Sequence, residues 1–381
     1  MAKPTKNPFK FGDPVEGDYY YPRPDLTQTV VQFLDNRVHV VLIGPRRFGK
    51  TSFVLDTLRQ LEERKKTCVF VDIFNVTSHR DFLQQLLRAL RAKTTWSRRL
   101  KKWVESLPRL RPKFIWETDP NTGEGTFSIA PEILERDVKD LIQDTILALG
   151  EVGDEVVVAI DEFQTIAELE DDDWLEATLR TLMQQLKNTA FLFTGSRRSV
   201  INDMLNNASR PFYRSCQPIE FPALEDSFSN WIVARFKSVG VTCTYEAISN
   251  LRKLVQDTPN YVQMACFHLV AEGVDKVDQA KIQDVLRTIV KQNAYSYQTL
   301  LNSLRPLQQR ALRLAAIESE GIFSKDFLAK YEIPSGPALA SSIKSLKQKQ
   351  ILDEGTAKGK VVFDDPLFAI WLKNEFSDSV S

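Results

Sequence analysis

Gly44-Pro45-Arg46-Arg47-Phe48-Gly49-Lys50-Thr51 follows the apolar run Val38 to Ile43 and opens a segment, Thr51 to Arg64, with apolar residues at Phe53, Val54, Leu58 and Leu61. Strand, glycine-bounded loop and amphipathic helix in that order are the context a phosphate-binding loop requires. The chemistry dictates the residue types. Glycines let backbone N–H groups close around a phosphate, an ammonium at Lys50 neutralises β- and γ-oxygens, and the hydroxyl of Thr51 suits Mg²⁺. The helix beginning near Lys50 adds its positive N-terminal end to the same anion. The spacing therefore predicts a nucleotide-phosphate site built from Gly44 through Thr51, with Ser52 beside it.

A second stretch supplies the other half. Glu155-Val156-Val157-Val158-Ala159-Ile160 reads as a strand buried in a parallel sheet, and it ends in Asp161-Glu162. Paired carboxylates at a strand end also serve as helix caps. With a P-loop in the same chain, the pair reads instead as Asp161 on the Mg²⁺ and Glu162 as general base for the attacking water.

The 381 residues allow two or three domains, and 43% hydrophobic content is enough to fill their cores. Fifty basic and fifty acidic side chains leave a formal net charge of zero, which removes any global attraction to nucleic acid or membrane. Cys68, Cys216, Cys243 and Cys266 show no C-x-x-C spacing, and His39, His79 and His268 are scattered, so buried thiols are expected rather than a metal cluster. There is no N-terminal apolar leader and no run of 18 apolar residues. The expectation is a soluble, cytoplasmic protein without a membrane partner.

Strands at Val38–Ile43, Thr67–Ile73, Glu155–Ile160, Ala190–Phe193 and Gln217–Phe221, alternating with helical stretches, imply an α/β parallel-sheet core covered on both faces. The organisation reads as an N-terminal arm (1–24), a P-loop core (25–222), a helical lid (223–276) and a winged helix-turn-helix domain (277–381). The last rests on helical patterns at Leu307–Glu318, Ser324–Tyr331 and Ser335–Lys349, then two short extended pieces around Gly355–Lys360. Within the core, an insertion at about 92–130 stands out. From Arg88 to Lys113 ten basic residues face one acid, Glu105, with Trp96, Trp103, Phe114 and Trp116 interleaved or adjacent. Three readings stay open: a solvated helix followed by a hairpin around Asn121-Thr122-Gly123; a phosphate-tracking surface for DNA; or a surface that meets the acidic run Glu168, Glu170, Asp171, Asp172, Asp173 of a second copy in a homo-oligomer.

The loop Gly-Pro-Arg-Arg-Phe-Gly-Lys-Thr-Ser, with arginines inside it, resembles the archaeal-type ATPase family, a branch of the STAND class of P-loop NTPases related to AAA+ origin-recognition initiators. Further segments carry the resemblance. Arg23-Pro24-Asp25-Leu26 is similar to its arginine-x-glutamate-leucine entry motif, with Asp for Glu; Ile160-Asp161-Glu162-Phe163-Gln164 to its Walker B; Phe193-Thr194-Gly195-Ser196 to its fourth-strand sensor; and Asp364-Asp365-Pro366-Leu367-Phe368-Ala369-Ile370-Trp371-Leu372 to its closing D-P-x-F-x-x-W-L signature. The resemblance implies an ATP-binding, Mg²⁺-dependent ATPase, slow and regulatory, whose nucleotide state moves lid and winged helix. It implies that Arg23 belongs to the nucleotide site and that Pro259 of Thr258-Pro259-Asn260-Tyr261 packs on adenine, although Asp257-Thr258 replaces the family's glycine. No N-K-x-D guanine motif follows the P-loop. It also implies that Arg210 or Arg214, in competition with Arg197 and Arg198, acts on the γ-phosphate. Because the chain stops at Ser381, just past the winged helix, a sensor or effector on another polypeptide is the expected partner. ATP-gated DNA binding of the initiator or transposition-regulator type is the alternative.

Overall fold

The computed structural model describes residues 6–91, 111–118, 125–132, 134–150, 153–169, 172–318, 321–331, 333, 336–354 and 360–376. They divide into two units, one holding Pro22–Pro45 and Lys50–Pro222, the other Met1–Tyr21, Arg46–Gly49 and Ala223–Ser381.

In the first unit the strands are β1 (Val40–Ile43), β2 (Thr67–Asp72), β3 (Arg111–Thr118), β4 (Gly125–Glu132), β5 (Val156–Asp161), β6 (Thr189–Gly195) and β7 (Gln217–Glu220). Five of them form a parallel sheet in the order β2-β5-β6-β1-β7. Every residue of β1, β5 and β6 is buried, whereas the edge strand β7 is largely exposed. The near-continuous Val, Ile, Leu and Phe of the inner strands follows from coverage on both faces. The apolar run expected to start at Val38 begins its ladder at Val40, since Val38 is 39% exposed. Phe163, Phe193 and Phe212 form the aromatic centre, with ring centroids 4.1 to 5.7 Å apart. β3 and β4 pair antiparallel on either side of Asn121-Thr122-Gly123. Those three residues, and Lys93, Trp96, Arg98, Arg99, Lys101, Lys102, Trp103, Glu105 and Arg109 of the basic segment, lie outside the described residues.

Register decides where the chemistry sits. Leu42 pairs with Thr194, Ile43 with Gly195, and Ile160 with Phe193, so the C-terminal ends of β1, β5 and β6 are level. Gly44, Asp161 and Thr194 therefore emerge at one sheet edge, the edge where open α/β sheets place ligands.

The second unit is helical: Ser227–Ser238, Tyr245–Leu254, Pro259–Ala271, Gln279–Asn302, Pro306–Ile317, Lys325–Lys330, Gly336–Gln348 and Pro366–Phe376. Two short parallel strands, β8 (Thr242–Cys243) and β9 (Lys276–Val277), tie its first part, and β10 (Leu352–Glu354) with β11 (Val361–Phe363) makes the antiparallel wing. Thr244, Asp278 and Ser324 cap their helices through side-chain oxygens. The 24-residue helix Gln279–Asn302 has no counterpart in the sequence reading, although its buried positions Ile282, Val285, Leu286, Ile289 and Val290 keep the i, i+3, i+4, i+7, i+8 spacing of an amphipathic helix. The N-terminal segment packs within this unit: Phe9 is 1% exposed against Phe236, and Asn7 Nδ2 donates to Phe267 O at 3.0 Å.

One ion cluster holds the first unit together away from the apolar centre. Glu176 is wholly buried and accepts from Arg210 Nη2; Asp173 and Asp203 lie 3.5 and 3.8 Å from the same guanidinium. Removing one partner of such a pair leaves a buried charge poorly compensated, whereas replacing both partners by apolar groups of similar volume costs far less. Arg210→Ala is therefore expected to lower the unfolding free energy by about 3–5 kcal/mol in urea titrations, and Glu176→Leu/Arg210→Met to recover much of that loss. An Arg210→Ala variant with the wild-type midpoint would show the pair to be idle.

Candidate functional site

Backbone contacts and glycines set the shape of the loop after β1. Gly44 donates its N–H to Gly195 O at 3.2 Å, and a Cβ there would fall 2.7 Å from Phe221 Cβ, so only glycine allows this approach. Gly49 at φ +88 turns the chain into the helix Lys50–Glu63, and Arg47 also takes a left-handed φ of 62. Phe221 is held by edge-on contact with Phe53 and by Arg23, whose guanidinium lies 4.5 Å above its ring while Nη1 donates to Pro222 O at 2.8 Å. Arg23 thus buttresses the residue that presses on Gly44.

Lys50, 5% exposed, folds back on its own loop: Nζ donates to Gly44 O and Pro45 O, each at 2.9 Å. Thr51 Oγ1 donates to Asp161 Oδ2 at 2.5 Å, and Thr194 Oγ1 donates to Asp161 Oδ1. Asp161 is 3% exposed, and burial raises its pKa above the usual carboxylate range against the opposing pull of the two threonines. Glu162 follows in left-handed geometry (φ 58, ψ 44), its N–H donating to Asp161 Oδ1 at 3.1 Å. A carboxylate and a hydroxyl in contact are the hard oxygen donors that Mg²⁺ prefers, and backbone N–H groups with a buried ammonium suit a polyphosphate. These residues fit both groups.

The loop's tip, Arg46–Gly49, belongs to the helical unit. There Arg47 donates through Nη1 to Tyr261 OH, lies 5.2 Å over the Tyr261 ring, and reaches Asp364 at 3.9 Å from the carboxylate and 3.5 Å from its carbonyl. Tyr297 OH donates to Asp365 Oδ2 at 3.1 Å. Burial pushes Tyr261 and Tyr297 well above the ordinary phenol range, and it raises Asp364 against the opposing charges of Arg47 and Arg46. The role of Asp364, Tyr261 and Tyr297 around Arg47 is missing from the sequence reading, because their partners are remote in the chain. Pro259 opens the helix Pro259–Ala271 at its first position, where its missing N–H costs nothing. Ahead of it Gln256 and Asp257 adopt φ 52 and 56, so non-glycine residues keep the left-handed turn; Arg252 anchors Asp257 through two bonds of 2.6 and 3.1 Å.

The four arginines differ in what holds them. Arg197 pairs with Glu168, Arg198 with Glu220 at 2.8 Å, and Arg210 with Glu176. Arg214 is exposed, stacks 5.2 Å over Tyr213, and makes no ion pair among the described residues. Two members of the acidic run, Glu168 and Asp173, are thereby engaged within the chain; Glu170 and Asp171 lie outside the described residues, as does Lys358 of the wing. No helix among the described residues is long and apolar enough to cross a membrane. Burial lifts the thiols of Cys68, Cys216 and Cys243 to about 12, which keeps them unreactive.

Residues 34–202 match the family model of an AAA domain, and residues 295–374 match one described as "Probable winged helix domain". No curated protein matches the chain in sequence. Among solved structures, the chain is similar to the Walker-type ATPase PABY2304 of Pyrococcus abyssi (18% identity, TM-score 0.65), covering 93% of this chain and 97% of that one. It is also similar to the Aeropyrum pernix ORC1 protein in complex with DNA (12%, TM-score 0.52, 96% of each chain). A third likeness is to the A. pernix ORC2 protein in ADPNP–ADP complexes (13%, TM-score 0.52, 93% of each). At such identities the likeness is one of fold. With the P-loop at the end of β1, Asp161 and Glu162 at the end of β5 and the wing just ahead of the last helix, residues 34–202 hold an AAA-type P-loop domain and residues 295–374 a C-terminal winged helix domain.

Proposed function

We propose that this protein binds ATP with Mg²⁺, hydrolyses it slowly, and works as a nucleotide-controlled switch of the STAND/AAA+ kind. The observation that supports this most is the convergence of Lys50, Thr51, Asp161, Thr194 and Glu162 at one end of a parallel sheet. Bound Mg²⁺ would neutralise charge on the β- and γ-phosphate oxygens. Lys50 would exchange the carbonyls of Gly44 and Pro45 for phosphate oxygens. Thr51 and Asp161 would hold the metal side, and Glu162 would accept the proton of the attacking water. For the γ-phosphate arginine we favour Arg214, since withdrawing Arg210 would strip the wholly buried Glu176 of its guanidinium. Adenine against Pro259 is proposed from the family resemblance.

The switch itself would run through Arg47. It sits in the phosphate loop and grips Tyr261, in the helix proposed as lid, and Asp364, at the start of the closing signature of the winged helix. A γ-phosphate competing for that guanidinium would change what the helical unit holds. A separate sensor or effector protein is the partner this reading needs. ATP-gated DNA binding draws on the ORC1 likeness and on Lys344 and Lys349, both exposed, but zero net charge gives it no general electrostatic support.

Lys50→Ala is expected to abolish tight ATP binding in calorimetry, whereas Glu162→Gln keeps the affinity and lowers kcat by roughly 10²- to 10⁴-fold, the range a general base supplies. Wild-type turnover by Glu162→Gln would remove Glu162 from the mechanism. ATP is expected to bind more tightly than GTP in direct titration; equal affinities would refute the adenine assignment. Hydrogen exchange in Pro259–Ala271 and around Asp364 is expected to differ between ATP- and ADP-bound protein, and Arg47→Ala to erase the difference; identical exchange in both states would dismiss the switch. DNA binding is expected to stay weak, with Arg98, Arg99, Lys101 and Lys102 all changed to Glu leaving its salt dependence unaltered; a slope flattened by about three to four units would restore the DNA reading.

A further inference from the structure

Two residues beyond Glu162 lies Gln164, an amide only 2% exposed. Its Nε2 donates to Glu162 Oε2, and Ser196 Oγ donates to the same oxygen at 2.8 Å. Ser196 N–H returns a bond to Gln164 Oε1 at 3.3 Å, and Gln164 Nε2 stands 3.4 Å from Ser196 Oγ. The three side chains close a ring around one carboxylate oxygen. Glu162 Oε1 takes no hydrogen bond among the described residues, and the residue itself is half-buried.

Two further features belong to this ring. Glu162 occupies left-handed backbone space, which a non-glycine residue adopts only where the surroundings impose it. A Cβ at Gly195 would stand 2.7 Å from Gln164 Oε1 and 2.8 Å from Ile201 Cδ1, so the glycine of Phe193-Thr194-Gly195-Ser196 is there to make room for the amide.

We propose that Gln164, with Ser196 as its partner, is the positioning residue of the general base: it fixes Oε2 of Glu162 so that Oε1 is the oxygen presented to water. A carboxylate left unfixed at the end of a mobile side chain spends much of its time misaimed, and a displacement near 1 Å can cost about 10²-fold in rate. The inference rests on Glu162 being the base.

The test measures kcat for ATP and, separately, the Kd of a fluorescent ATP analogue. Gln164→Leu keeps the volume and removes the donor. It is expected to lower kcat by about 10- to 100-fold with Kd within about twofold, and Gly195→Ala, which pushes on the amide, to act in the same direction. In a Glu162→Gln background Gln164→Leu should cost nothing more, because there is no base left to aim. An unchanged kcat, an equal loss on top of Glu162→Gln, or a parallel loss of analogue affinity would overturn the proposal. Should Gln164→Leu fail to fold, Ser196→Ala decides, with a smaller kcat loss at constant Kd expected and no loss overturning it. If Glu162→Gln alone turned over normally, the base assignment would fail, a different result from all of these.

Discussion

The carboxylate of Asp161, buried between two threonine hydroxyls, is the interaction on which the site depends. Thr51 reaches it from the first turn of the P-loop helix and Thr194 from the end of β6, so one side chain joins three elements that are far apart in sequence. Burying a charge is expensive even where three hydrogen bonds reach it. Burial raises the Asp161 pKa accordingly, and a divalent cation would repay that cost directly. The same register that aligns Ile160 with Phe193 and Leu42 with Thr194 makes this possible.

The P-loop serves two masters. Gly44, Pro45 and Lys50 onward group with the sheet, while Arg46–Gly49 group with the helices, where Arg47 meets Tyr261 and Asp364. Arg47 is thereby the side chain on which the proposed switch turns. The ion pair itself is worth little, since Arg47 is 42% exposed and its carboxylate partner is 3.9 Å away; the bond to Tyr261 OH is the firmer contact.

The loop, the strand before it and the Asp161-Glu162 pair were legible because each is a contiguous string whose residue types the chemistry prescribes. The parallel sheet was legible for a related reason: β5 and β6 are unbroken apolar runs, as full burial demands. The helix Gln279–Asn302 was legible in principle, since Ile282, Val285, Leu286, Ile289 and Val290 keep the i, i+3, i+4, i+7, i+8 spacing after the cap Asp278, whereas the packing of the N-terminal segment was not, because Phe9 and Asn7 gain their partners more than two hundred residues away. Among the arginines, type and position do not rank four candidates; the preference proposed for Arg214 draws on its exposure and on the tie of Arg210 to the buried Glu176. Gln164 is legible in the sequence only as part of a motif, since a glutamine two residues past the paired acids has no prescribed chemistry until Ser196 and Gly195 are seen around it.

The central claim is that Asp161 is the metal-side anchor of a nucleotide site, and calorimetric titration of ATP with Mg²⁺ and with chelator tests it most directly. Wild type should bind ATP more weakly once Mg²⁺ is removed, by about tenfold or ~1.4 kcal/mol, and Asp161→Asn should show no difference between the two conditions. An Asp161→Asn variant with the full Mg²⁺ dependence of wild type would contradict the account.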